Sequence, residues 1–322
     1  MSRIALITGG AGYVAASLTR ELIAAGVGVR RMFRGEKDAP EAPAGAAVED
    51  VRGDVTQRAD VERAVRGADI VFHLASQTSV YVAEADPIAD VGANLLPMLY
   101  LLESCRALGT RPTVVLAGTV TQAGLPQALP VDESIRDVPR TIYDVHKLTA
   151  EHYLSHYSEL GVVRGATLRL ANVYGPGPRS SRADRGVLNA MIKKALAGET
   201  LKLYGTGEYL RDYVFVDDVA RAFALAGQNP DAIDGHHYVL GTGDGHTLAD
   251  AVRLVAKLVG ERVGRVVPVE HVPPPPSLSP IETRNFVANA QAFRAATGWR
   301  PEVSLASGIT KTIDYFLAME ER

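Results

Sequence analysis

A phenol and an ammonium four residues apart are the first candidates for chemistry in this chain. In Thr141-Ile142-Tyr143-Asp144-Val145-His146-Lys147 they fall at i and i+4, so a helix puts both on one face. A tyrosine near its ordinary pKa of about 10 is a poor proton carrier at neutral pH. A neighbouring ammonium, and the positive ring of an oxidised nicotinamide, favour the phenolate. Tyr143 then reads as general base for alcohol oxidation or general acid for carbonyl reduction. Lys147 supports that charge and has the reach to bond a nicotinamide ribose. A carbonyl also needs a second oxygen donor. Leu116-Ala117-Gly118-Thr119-Val120-Thr121 puts Thr119 just past a strand end, with Thr121 in reserve as a substrate contact. A Tyr-x-x-x-Lys alone occurs on many amphipathic helices, so its meaning depends on what positions it.

The positioning elements begin at the N-terminus. Arg3 to Thr8 reads as a buried strand, followed by Gly9-Gly10-Ala11-Gly12 and an apolar-periodic run from Tyr13 to Ala25. Strand, glycine turn and helix together suit a dinucleotide. The glycines admit the pyrophosphate, and the helix N-terminus offers N–H groups and a positive dipole. The spacing is Gly-x-x-Gly-x-x-Ala, with Ala15 in the last small position. Gly9, Gly12, Tyr13 and Val14 are therefore expected against the cofactor, with Leu74 and Ala75 at a later strand end. Where the second strand ends, an acid would accept from an adenosine ribose hydroxyl and favour NAD. The chain instead offers Arg31, Met32, Phe33 and Arg34, with no carboxylate before Glu36. Guanidiniums suit a 2′-phosphate, so NADP(H) is expected and NAD is the alternative; both arginines could instead be solvated loop charges. Asp54 and Val55 close the third strand. Asp54 could reach the adenine or serve as a helix cap.

Short β-branched runs at 3–8, 28–33, 48–52, 69–74, 112–117 and 165–170 alternate with helical runs at 12–25, 57–66, 89–108 and 143–160. That alternation predicts an α/β fold, a Rossmann-like doubly wound parallel sheet whose ligands lie beyond the strand carboxyl ends. After Asn172 a Gly/Pro-rich exit opens what reads as a smaller C-terminal lobe. The expected division is 1–172 for the dinucleotide and 173–322 mainly for substrate. The strand at 211–216 is expected to rejoin the first layer, so that 211–240 returns to it. A net charge of −3 gives no reason to expect nucleic acid or an anionic membrane as partner. Cys105, the single cysteine, allows no intramolecular disulfide and reads as a small core residue. No charged-then-apolar leader and no long uncharged apolar run appear, so a cytoplasmic protein is expected. His73 reads as structural, His146 as a weak candidate for substrate contact, and His236 and His237 cannot both chelate from one strand face. No metal-ligand spacing appears. Ser76 and Gln77 follow the fourth strand and are candidates for sugar hydroxyls.

Taken together, these features resemble the extended short-chain dehydrogenase/reductase family, whose members act on nucleotide sugars. The likeness rests on the glycine turn, His73-Leu74-Ala75, Asn94, the Thr/Tyr/Lys set, Leu168-Arg169-Leu170-Ala171-Asn172-Val173-Tyr174-Gly175-Pro176 and Arg211-Asp212-Tyr213. It implies that Asn172 and Arg211, with Arg284 as a less firmly assigned third, contact the diphosphate of a nucleotide-diphosphate sugar, and that the protein is a homodimer built on helices 89–108 and 143–160. A salt bridge to Asp212 is the plainer role for Arg211. Ala117 to Gly124, Tyr143 to Leu148 and Gln291 to Pro301 are most similar to dTDP-4-keto-6-deoxyhexose 4-ketoreductases of deoxysugar and antibiotic biosynthesis. The expected reaction is therefore NADPH-dependent reduction of a C4 carbonyl, and the alternative an NAD-dependent nucleotide-sugar 4-epimerase. A redox-sensing binder on the same fold would not need the tyrosine–lysine pair. Dehydratases of this kind carry Asp-Glu directly after the threonine; Val120-Thr121 stand there, which disfavours dehydration.

Overall fold

The structure is a computed structural model and describes residues 3–35, 46–177 and 186–320. Glu36 and Pro178 lie outside the described residues. The first layer is built from β1 (Ile4–Thr8), β2 (Gly28–Phe33), β3 (Val48–Arg52), β4 (Ile70–His73), β5 (Thr113–Thr119) and β6 (Arg164–Leu170). The chain then forms β7 (Asn172–Tyr174), β8 (Leu201–Tyr204), β9 (Leu210–Phe215), β10 (His236–Leu240), β11 (Gly245–Thr247) and β12 (Val269–Val272). A seven-stranded parallel sheet has the order β10-β6-β5-β4-β1-β2-β3. Ala5, Leu6, Ile7, Val71, Phe72, Val114 and Val115 are wholly buried, as expected of strands covered on both faces. β3 is one of the two edge strands, opposite β10, and carries Glu49, Asp50 and Arg52.

The crossovers are α1 (Tyr13–Ala24), α2 (Arg58–Val65), α3 (Val80–Ala85), α4 (Pro87–Asn94), α5 (Leu96–Leu108) and α6 (Ile142–Glu159). From β1 the chain winds outward to β3, then returns to β4 on the other side of β1. This reversal opens a crevice at the strand carboxyl ends. The single helix expected over 89–108 is two helices, broken at Leu95. Pro97 sits in the first turn of α5; inside a continuous helix its ring would meet the carbonyl one turn back.

The remaining helices are α7 (Val187–Leu196), α8 (Val216–Gln228), α9 (Pro230–Ile233), α10 (Leu248–Val263), α11 (Gln291–Thr297) and α12 (Leu305–Glu320). Ile192, Val252, Val255, Val259, Ile309 and Ile313 form a second core beside a three-stranded sheet ordered β11-β9-β7. The strand expected to rejoin the first layer is β9, and it belongs to this small sheet instead, parallel to β7 and antiparallel to β11. The return is made by α8, whose Val219, Ala220 and Phe223 share the first core with Ile7 and Leu18, and by β10, which pairs with β6. Trp299 is buried, and its indole N–H donates to the Asp218 carbonyl at 2.9 Å. Cys105 is buried in the core, as expected. No helix among the described residues is long and apolar enough to cross a membrane.

Candidate active site

The glycine turn is tight for a structural reason. Gly9 has φ +68°, and a Cβ there would stand 3.0 Å from the Ala75 backbone. A Cβ on Gly12 would stand 2.9 Å from the Gly9 carbonyl oxygen. α1 then starts with Tyr13 and Val14, with no side chain capping it and no acid in its first turn. Its first N–H groups and its positive end remain available to an anion. β1 and β4 are tied at their ends: the Thr8 hydroxyl and His73 Nδ1 lie 3.0 Å apart, and the Ala75 N–H donates to the same hydroxyl at 3.2 Å. Burial, with Lys147 nearby, pushes His73 down to about 3, so its ring is neutral and structural. This cradle fits a dinucleotide pyrophosphate.

The adenosine end differs between the two arginines. Arg31 is buried and grips Asp50 on β3 in a two-pronged ion pair of 2.7 and 2.8 Å. Arg34 is exposed, with Asp54 loosely opposite at 3.9 Å. Asp54 itself accepts from the N–H and hydroxyl of Thr56, both at 2.9 Å, and so shapes the entry to α2. Val55 packs into the core beside that turn.

Thr119 ends β5, and Tyr143 and Lys147 start α6, whose cap is the Thr141 hydroxyl accepting from the Asp144 N–H at 3.2 Å. Tyr143 and Lys147 are both buried, as a shared helical face against the sheet requires. Burial pushes the Lys147 ammonium down to about 8, against the pull of Glu151 and Asp90. Behind the threonine, the Gln122 side chain accepts from the Thr119 N–H at 3.0 Å and donates to Glu151 at 3.0 Å. Glu151 also receives Arg169, which holds Asp137 at 2.7 and 2.8 Å. This buried network fixes the end of β5.

Ser76 and Gln77 turn inward. Ser76 donates to Asn94 at 2.7 Å, and Gln77 donates to Asp90 at 2.9 Å and to the Ser79 carbonyl at 2.8 Å. These bonds stitch the loop after β4 to α4. His146 pairs with Asp90 at 2.7 Å, which gives it a structural partner in place of a substrate.

In the small lobe, Asn172 lies opposite Tyr213 across β7 and β9. Arg211 makes no ion pair with Asp212. Its guanidinium donates to the carbonyls of Leu210, Arg284 and Glu282, while Asp212 gathers the N–H groups of Thr242, Gly243 and Ala288. Arg284 donates to the Ile281 carbonyl at 2.9 Å and reaches Asn172 at 3.5 Å. Burial and the charge of Arg211 push Arg284 down to about 10. Arg284 Nε and the Tyr213 hydroxyl are buried without a hydrogen-bond partner. Two buried guanidiniums with an idle donor between them suit an anionic ligand.

Asp144 is the residue that sequence reasoning missed. It is wholly buried, and Thr121 donates its hydroxyl proton to Asp144 Oδ1. Asp144 Oδ2 has no partner. Burial raises its pKa, against the pull of Thr121, Thr141, the Arg140 backbone and Arg284. Asp144, from α6, thus puts a carboxyl beside Thr121. Its only signal was its place directly after Tyr143.

The seven-stranded parallel sheet, the glycine cradle and the threonine–tyrosine–lysine set define a Rossmann-like enzyme of the short-chain dehydrogenase/reductase type. Residues 5–241 match the model of the NAD dependent epimerase/dehydratase family, and the chain belongs to that family. It is 33% identical to the UDP-glucose 4-epimerase of Mycolicibacterium smegmatis, over 97% of both chains. Among solved structures it is similar to the Thermus thermophilus UDP-glucose 4-epimerase in complex with NAD, with 33% identity, a TM-score of 0.82, and coverage of 98% of this chain and 99% of that one. The Thermotoga maritima UDP-glucose 4-epimerase with UDP-glucose gives a TM-score of 0.87 at 29% identity, with 98% and 99% covered.

Proposed function

We propose that the protein is an NAD-dependent UDP-sugar 4-epimerase, the second of the two reactions the sequence suggests. Chief support comes from the buried Tyr143–Lys147 pair, with a dinucleotide cradle at the same end of the sheet and the buried guanidiniums of Arg211 and Arg284 in the small lobe. The names of the relatives favour epimerisation over ketone reduction, and the Thermus relative is a complex with NAD. The adenosine end agrees. Asp50 already neutralises Arg31, and among the described residues at this strand end the exposed Arg34 is the cation left for a 2′-phosphate, so NADP selectivity has weak support.

In this reading Arg211, Arg284 and Asn172 hold the UDP diphosphate, and Tyr143, steadied by the Lys147 ammonium, takes the C4 hydroxyl proton. Thr119 bonds the same oxygen. Bound NAD would accept the C4 hydride and, once reduced, give it back to C4. Tyr143 returns the proton once the sugar presents its other face. Gly9, Gly12, Tyr13, Val14, Leu74 and Ala75 bind and orient the dinucleotide, and residues 173–322 chiefly hold the sugar nucleotide. Val145 and Tyr153 are exposed on α6 and support a homodimer through that helix, to be read by light scattering. The test of the reaction is incubation of the purified protein with UDP-glucose, UDP-galactose and their N-acetyl and uronic acid counterparts, followed by proton NMR without added NADPH. C4 inversion of at least one pair is expected. Inertness toward all of them, with NADPH consumed on a 4-ketosugar, would restore the reductase reading.

A further inference from the structure

A buried ammonium needs a counter-charge close by. Lys147 is 2% exposed, and two carboxylates act on it: Glu151, one turn further along α6, and Asp90 on α4. Both are engaged elsewhere, and neither forms an ion pair with it. Glu151 takes Gln122 and Arg169, and the guanidinium offsets its charge. Among the described residues Asp90 pairs with His146 and with no arginine. Asp90 is 2% exposed, and side-chain donors fill its oxygens. Gln77 and Asn94 each donate to Oδ1 at 2.9 Å, and His146 Nδ1 meets Oδ2 at 2.7 Å. His146 directly precedes Lys147, so this bond fixes the carboxylate against the turn that carries the ammonium. The other titratable groups facing Lys147 are Tyr143, one turn earlier on the same helical face, and His73 at the end of β4, whose ring is neutral.

A carboxylate in direct contact would occupy the ammonium's donors. One held just out of contact acts through the low-dielectric interior and leaves the three N–H groups of the ammonium to other partners.

We propose that Asp90 is a positioning residue for the reaction: held back by Gln77, Asn94 and His146, its charge keeps Lys147 an ammonium whose donors stay open to the nicotinamide ribose. The proposal rests on Lys147 steadying Tyr143, as in the function proposed above.

Asp90→Asn removes the charge and can keep the bonds. Its amide oxygen still accepts from Gln77 and Asn94, and its NH₂ donates to His146 Nδ1 once the imidazole proton sits on Nε2. Two measurements separate this proposal from the proposed function. The first needs neither cofactor nor substrate: carbon-13 NMR of lysine Cε across pH in the dinucleotide-free full chain, with Lys147 assigned by its loss in Lys147→Met. The wild-type midpoint is expected at about 8. Asp90→Asn should lower it by roughly half a unit to one unit. Gln77→Ala, which breaks one bond to Asp90 and keeps the charge, should leave it in place. A midpoint that Asp90→Asn does not move, or that Gln77→Ala lowers as far, overturns the proposal. Asp90→Ser is read in the same way if the asparagine variant does not fold. The second is kcat for UDP-glucose in the NAD-loaded enzyme across pH. The alkaline limb, where Lys147 loses its proton, should move to lower pH in Asp90→Asn by a similar amount, with KM within about twofold because the carboxylate lies outside the diphosphate pocket. A lower kcat with that limb in place makes Asp90 merely structural. If wild type inverts no UDP-sugar, the proposed function falls, and the lysine titration still decides whether Asp90 holds the charge.

Discussion

Lys147→Met should stabilise the fold while it destroys turnover. The ammonium is buried, and its pKa drops from 10.5 to about 8. At about 1.4 kcal/mol per unit, holding it charged at pH 7 costs on the order of 3 kcal/mol. Its value is lower folded than unfolded, so the folded state binds the proton more weakly. The penalty is full below about pH 8 and fades as pH rises toward 10.5. Methionine fills similar length without charge, and its neighbours keep partners: Asp90 has His146 and Glu151 has Arg169. The shift to about 8 already includes the ammonium's attraction to both carboxylates, so the net gain is about 1–3 kcal/mol. Urea unfolding of dinucleotide-free protein at pH 7 and pH 10 measures this. Lys147→Met should have the higher midpoint at pH 7, with the gap narrowing by pH 10. A variant weaker than wild type at pH 7, or a gap independent of pH, would show that partners hold the ammonium more than burial penalises it.

Tyr143→Phe should lower kcat by about 10²–10⁴ and leave NAD binding, read by calorimetry, within twofold. Gly9→Ala adds a Cβ 3.0 Å from the Ala75 backbone at φ +68°; it should abolish NAD binding and lower the melting temperature, and an alanine variant that binds NAD normally would refute the cradle. Arg34→Ala removes an exposed side chain whose partner among the described residues is the loosely placed Asp54; exposed pairs contribute about 0–1 kcal/mol, so the NAD dissociation constant should move less than about fivefold. Arg284→Gln should weaken UDP binding by about 10–150-fold, the worth of a charge-assisted bond of about 1.5–3 kcal/mol, with NAD affinity unchanged; equal losses for both ligands would place the residue outside the diphosphate pocket.

Features that depend on neighbours in sequence were legible before the structure. The glycine turn, the strand ends and the i, i+4 pair of Tyr143 and Lys147 are local, and the first six strands lie within two residues of their expected bounds. Features set by packing were not. Asp50 is nineteen residues from Arg31, and only the register of β2 on β3 brings them together and gives the guanidinium a carboxylate partner. Ser76 and Gln77 look like free polar groups in sequence because Asn94 and Asp90 arrive from another helix. β9 reads as any buried strand, and nothing in Arg211 to Phe215 says which sheet it joins. Asp144 meets Thr121 across twenty-three residues, a contact that β5 and α6 create only once they are packed.

The central claim, that hydride leaves C4 and returns to C4 within one active site, is tested most directly with UDP-glucose deuterated at C4. The account predicts UDP-galactose that keeps its deuterium at C4, formed without added NADH or NADPH and lost in Tyr143→Phe. Product with hydrogen at C4, or no product unless reduced dinucleotide is supplied, would contradict it.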